Sequence, residues 1–218
     1  MVAVFSITIL SMLMVSFQTL NMQTRRIPYL IRIACIGDSI TEDSKYSSNL
    51  QSLLGCRYLV KNFAVSGSTV LLASWKPYMN QPEFQSAKEF QPNITIIILG
   101  TNDAHIELHQ YNESFESDYE KLISQFQQLK SNPQIWIAKP PPILSNSLEL
   151  TSTYFTETII LKIEELAKKQ NLPIIDLYNT FGNYTDYSKD GVHPNSQGVA
   201  LIASEVCKAI TEQNSWTN

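Results

Sequence analysis

From residue 28 onward, short apolar runs alternate with stretches in which apolar residues recur every three or four positions. Continuous apolar runs mark strands buried on both faces, and their alternation with amphipathic helices predicts a parallel sheet covered on both sides. The predicted strands are Tyr29 to Ile36, Tyr58 to Phe63, Ile94 to Leu99, Gln134 to Ala138 and Ile174 to Leu177. Helical spacing joins Phe115, Tyr119, Leu122, Ile123, Phe126 and Leu129, then Phe155, Ile159, Ile163, Leu166 and Ala167, then Val199, Ile202, Val206, Ala209 and Ile210. An earlier helix through Tyr46, Leu50, Leu53 and Leu54 is expected to close at Gly55 in the left-handed C-terminal conformation. The segment from Gly67 to Asn93 follows neither period and is predicted to be the longest irregular stretch.

The N-terminal run from Val2 to Phe17 has the length of a signal-peptide core and is short for a spanning helix. Residues 1–27 are therefore expected to be a signal peptide or signal anchor, and residues 28–218 the folded domain. No Lys or Arg precedes the run and Arg25-Arg26 follow it, the reverse of the usual charge order. A secreted or membrane-anchored protein is expected, or a cytoplasmic one if translation starts at Met22; membrane association would come only through this segment. Sequons stand at Asn93, Asn112 and Asn183, of which Asn93 abuts a predicted buried strand.

Composition narrows the function classes. The formal net charge is −4, and no basic run exceeds the Arg25-Arg26 pair, so nucleic acid is not an expected partner. Cys35, Cys56 and Cys207 are odd in number and lack CxxC spacing, which favours buried free thiols over a disulfide framework or a zinc site.

In an open parallel sheet, ligands lie in the crevice outside the carboxyl ends of the strands. After the first predicted strand come Gly37, Asp38 and Ser39; after the second, Ser66 and Gly67; after the third, Gly100, Thr101, Asn102 and Asp103; beyond the fifth, Asp190 to His193. Each group alone is an ordinary turn. Together they are the parts that acyl transfer to a serine needs. A serine hydroxyl attacks a carbonyl once a base takes its proton, and that base works best when a carboxylate fixes its tautomer. Ser39 is the candidate nucleophile, His193 the base and Asp190 its orienter, three residues away so that a turn can return the carboxylate to the ring. The developing oxyanion needs donors, for which the N–H groups of Ser39 and Gly67 and the side-chain amide of Asn102 are the candidates.

"GDSIT" at 37–41, "NFAVSGST" at 62–69, "GTND" at 100–103 and "DGVHPN" at 190–195 resemble the four blocks of the SGNH, or GDSL-type, esterase and lipase family. The similarity spans residues 31 to about 210. It implies a flavodoxin-like three-layer α/β/α fold, with Ser39 as nucleophile, Gly67 and Asn102 as oxyanion donors, His193 as base and Asp190 as its partner, without a GxSxG elbow. The stretches "YMNQPEFQSAKEFQPNITIIILGTND" and "IWIAKPPPI" are similar to those of acetylesterase-like members acting on acylated sugars. Trp75, Tyr78 and Phe84 are candidates either for lining an acyl or sugar pocket or for packing a long loop onto the core.

The expected function is a cofactor-free, metal-free serine esterase acting on short acyl esters, acetyl above all, of small molecules or carbohydrates. A lysophospholipase, lipase or thioesterase of the same family is the alternative, and a carbohydrate-binding protein without turnover the rival from another class. "HIELH" at 105–109 places two histidines four apart, but Ile106 stands where the metalloprotease pattern needs glutamate. A two-metal phosphoesterase is disfavoured because the chain has three histidines, two of them in that string.

Overall fold

The computed structural model describes residues 29–144, 149–182 and 186–213. The expected leader and the sequon at Asn183 lie outside them. Five strands form one parallel sheet in the order β2-β1-β3-β4-β5: β1 Ile31–Gly37, β2 Tyr58–Asn62, β3 Ile94–Ile98, β4 Gln134–Lys139 and β5 Ile174–Asp176. Register is fixed by pairs such as Ile33 with Val60 on one side and Ile33 with Ile94 on the other. The chain leaves β1 in one direction to make β2 and returns past it to make β3, so the order reverses between β1 and β3. That reversal opens a crevice at the carboxyl ends of these two strands, where Ser39 and Asn102 follow.

Alternation along each strand sends its side chains to two separate cores. Ala34, Ile36, Ile97, Ile135 and Ile137 pack with Phe84, Phe115, Tyr119, Leu122, Phe126, Ile163 and Leu166. These belong to the helices α3 (Pro82–Glu89), α4 (Phe115–Gln127) and α5 (Leu161–Lys169). Ile33, Cys35, Ile96, Ile98, Trp136 and Ala138 pack on the opposite face with Tyr46, Leu50, Phe181, Ile202 and Val206. Their helices are α2 (Tyr46–Leu54), α6 (Leu177–Gly182) and α7 (Ser196–Gln213), while a single turn, α1 (Ser39–Glu42), follows β1 directly. The result is the three-layer α/β/α architecture. Ile96, wholly buried at the sheet centre, is the kind of side chain whose truncation to alanine costs about 2–5 kcal/mol.

Several sequence expectations change in detail. Gly55 ends α2 at φ 75° and ψ −166°, a region open essentially to glycine alone and not the left-handed helical one. The stretch from Gly67 to Asn93 holds α3, which begins on Pro82 and buries only Phe84 and Ala87, too few apolar positions to show a period. The Phe155 helix starts with a π-helical segment, Phe155–Ile160, before α5. Cys35 is buried and its thiol is pushed up to about 12 by burial, but Cys56 is exposed, against the expectation of buried thiols. Among the described residues no helix is long and apolar enough to cross a membrane.

Candidate active site

The β1 strand ends on Gly37 because nothing larger fits. A Cβ there would lie 2.1 Å from Thr41 Oγ1 and 2.9 Å from the Ile98 carbonyl oxygen, so only glycine lets α1 fold back over the strand end. Asp38 follows in an extended conformation and caps α1, its Oδ1 accepting from the Ile40 N–H at 2.9 Å. Ser39 is thereby fixed as the first residue of the turn, 8% exposed.

The loop ahead of α7 brings His193 to meet it. Ser39 Oγ lies 2.9 Å from His193 Nε2, and His193 Nδ1 lies 2.7 Å from Asp190 Oδ2. The other carboxylate oxygen of Asp190 accepts from the N–H groups of Val192 and His193 at 3.0 and 2.8 Å. Partial burial works against ionisation of Asp190, but the bonds from the His193 ring and from these two backbone groups outweigh it and hold the carboxyl down to about 2. It is ionised throughout the neutral range. The His193 carbonyl accepts from the Lys189 N–H and the Ser188 hydroxyl, both at 3.0 Å, and Asn195 caps α7 through the Gln197 and Gly198 N–H groups. The imidazole therefore stands on a braced loop, although a third of its side chain is exposed.

A third loop is stitched to the first by Ser68, whose hydroxyl donates to the Gly37 carbonyl at 3.3 Å and to that of Val65 at 2.6 Å. Asn102 Nδ2 donates to the Ser68 carbonyl at 3.0 Å, which orients the amide and leaves its second N–H for a ligand. Gly67 sits at φ 72°, and a Cβ on it would meet only Lys76 Cδ at 3.9 Å. The glycine is thus required by its left-handed backbone rather than by crowding within the protein. Neither the Ser39 nor the Gly67 N–H donates to an acceptor among the described residues. The structure brings Ser39, His193 and Asp190 into one hydrogen-bonded relay and joins the Gly67 and Asn102 loops beside it.

Sequence reasoning passed over the residues that hold these loops. Asp103, fully buried, accepts from the Val70 N–H at 3.1 and 3.0 Å and from the Leu71 N–H at 2.9 Å, and Asp118 accepts from the Leu72 N–H at 2.9 Å. Glu42 accepts from the Ser66 N–H at 2.6 Å, and Lys76 donates to the Ser66 carbonyl at 2.8 Å. Asp103 lay inside the "GTND" block and could have been suspected; Glu42, Lys76 and Asp118 carried no local signal. Burial pushes Asp103 up to about 7 in spite of its backbone bonds. Burial does the same to Asp38, also to about 7, with the Ile40 N–H opposing and the charge of Asp103 adding to the rise.

Of the aromatic candidates, Tyr78 and Phe84 are core residues, whereas Trp75 is 55% exposed and meets His105 edge-on with ring centroids 4.8 Å apart. The two histidines of "HIELH" are engaged otherwise. His105 pairs with Glu149 at 2.9 Å and caps the next turn through the Glu107 N–H, and His109 stacks on Tyr154 at 3.6 Å. Among the described residues no cluster of metal-ligating side chains is found.

The GDSL-like Lipase/Acylhydrolase family model matches residues 35–201. An acetylxylan esterase of Xylanibacter ruminicola is 35% identical over 206 residues, which cover 83% of this chain and 43% of that protein. The GDSL esterase/lipase CPRD49 of Arabidopsis thaliana is 22% identical over 146 residues, 56% of each chain. This chain thus spans about half the length of these curated relatives. Among solved structures, the acetyl xylan esterase AlAXEase superposes with a TM-score of 0.68 at 21% identity, over 83% of this chain and 100% of the other. The native aryl esterase of M. smegmatis gives 0.68 at 16% identity, over 84% and 99%. With the fold matched and the family pattern running from Cys35 through His193 to Leu201, the chain belongs to the GDSL-like lipase/acylhydrolase family.

Proposed function

We propose that this protein is a serine esterase that releases short acyl groups, acetyl first among them, from carbohydrate or related alcohols. The observation that carries the reading is the continuous relay from Ser39 Oγ through His193 to Asp190, at 2.9 and 2.7 Å. In the first half-reaction Ser39 Oγ attacks the ester carbonyl carbon while its proton passes to His193 Nε2. The carbonyl oxygen becomes an oxyanion facing the N–H groups of Ser39 and Gly67 and the free N–H of the Asn102 amide. As the carbonyl re-forms, the C–O bond to the alcohol breaks and the proton on His193 goes to that alcohol, leaving an acyl-Ser39 ester. Water then gives a proton to His193, its oxygen attacks the acyl carbon, and the carboxylic acid leaves as the proton returns to Ser39. Asp190 stays charged and holds the imidazolium that forms twice in each turnover.

The acetyl preference rests on the acetylxylan esterase relative. Comparing kcat/KM for p-nitrophenyl acetate, octanoate and palmitate tests it. The acetate ester is expected to be the best substrate; a preference for palmitate would move the protein to the lipases.

A further inference from the structure

The base of a serine esterase also fixes where the alcohol sits, because the departing oxygen must take its proton from the imidazole. Any alcohol of the substrate therefore lies on the His193 side of Ser39. A cavity of about 160 Å³ occupies that side, lined by Ser39, Asp43, Ser44, Lys189, His193 and Pro194. Resting on the esterase reading above, we propose that this cavity is a subsite for a polyhydroxylated alcohol such as one sugar unit, with Asp43 and Lys189 selecting it through its free hydroxyl groups.

The two charged residues are tied to the reacting pair. The Asp43 N–H donates to the Ser39 carbonyl at 3.0 Å as the cap of α1, and the Lys189 N–H donates to the His193 carbonyl at 3.0 Å. These bonds hold the backbone of each residue to that of the reacting residue four positions away. Among the described residues neither the Asp43 carboxylate nor the Lys189 ammonium has a hydrogen bond or an ion pair, so both remain free for a ligand. A carboxylate only accepts and an ammonium only donates, whereas a sugar hydroxyl does both; the Ser44 hydroxyl can supply either role. Pro194, buried in the same wall, gives the C–H face of a ring something apolar to rest on. An acyl chain of many methylenes would find a carboxylate and an ammonium here, which it cannot satisfy.

The test compares two unactivated acetates of similar ring size: methyl β-xylopyranoside bearing one acetyl group, with free hydroxyls, and cyclohexyl acetate, with none. For Asp43→Ala and Lys189→Ala, the ratio of kcat/KM for the sugar ester over that for cyclohexyl acetate should fall at least tenfold each, the effect of losing one hydrogen bond to a charged group. Asp43→Asn, which keeps an acceptor oxygen, should recover part of the ratio. A ratio within twofold of the parent protein in both alanine variants overturns the subsite. So does a parent protein that hydrolyses p-nitrophenyl acetate and cyclohexyl acetate but not the sugar ester, while leaving the esterase reading intact. A parent protein that hydrolyses none of the three overturns the esterase reading itself, and the subsite with it.

Discussion

Replacing Asp38 by asparagine should stabilise the protein at alkaline pH and leave it almost unchanged in acid. Asp38 is 1% exposed, and its Oδ2 has no hydrogen-bond partner among the described residues. Burial, joined by the nearby charge of Asp103, lifts its carboxyl from 3.8 to about 7. The folded protein thus holds this proton more tightly than the unfolded chain does. Stability from this group is complete below the unfolded value near 4 and is lost as pH rises toward 7. The interval from 3.8 to about 7, at roughly 1.36 kcal/mol per pH unit, sets an upper limit of about 4 kcal/mol lost by pH 8. Asparagine keeps the acceptor that caps α1 through the Ile40 N–H and carries no charge. Its NH₂ takes the place of the unpartnered oxygen, at the same cost that the protonated carboxyl already bears in acid. Guanidinium unfolding should therefore find the variant within about 1 kcal/mol of the parent at pH 4 and more stable by about 1–4 kcal/mol at pH 8. Each kcal/mol raises Tm by roughly 2–4 °C in a domain of this size. Part of the parent's pH slope should survive in the variant, since Asp103 titrates in the same range. A variant destabilised equally at both pH values would show that the charge at 38 is compensated in a way this geometry does not contain, and would refute the reasoning.

Asn102→Ala is expected to lower kcat for p-nitrophenyl acetate by about 10²–10³ with little change in KM, as the loss of one oxyanion donor does; a rise in KM alone would assign Asn102 to substrate binding instead. Gly100→Ala should cost about 1–3 kcal/mol in urea unfolding. The backbone there sits at φ 123°, and the new methyl would lie 3.1 Å from both Ile159 Cγ2 and Ile163 Cδ1. Unchanged stability would mean that Ile159 and Ile163 both give way and that the backbone at position 100 accepts a Cβ without strain.

The parts of this molecule that were legible in the sequence are those with a period or a short spacing. Buried parallel strands read as unbroken apolar runs, so β3 was recognisable from "ITIII" alone. Asp190 and His193 are three residues apart, which let their contact be foreseen from the turn that joins them. α3 was not visible, because its core contact is made by only two side chains. The bracing of the Gly67 loop was not visible either. Glu42 reaches Ser66 across 24 residues and Asp118 reaches Leu72 across 46, and a partnership at that separation leaves no pattern in one chain. The two exposed groups beside the relay escaped for a related reason. Asp43 and Lys189 are ordinary surface residues in sequence and become neighbours of one cavity only when β1 and the loop before α7 meet.

The central claim is that the hydroxyl of Ser39 forms the bond to the acyl group. Its most direct measurement is kcat of Ser39→Ala on p-nitrophenyl acetate, with folding checked by thermal unfolding. Removing one atom from a side chain that is 8% exposed should leave Tm within a few degrees while kcat falls at least about 10³-fold. Hydrolysis within tenfold of the parent rate by a folded variant would contradict the account.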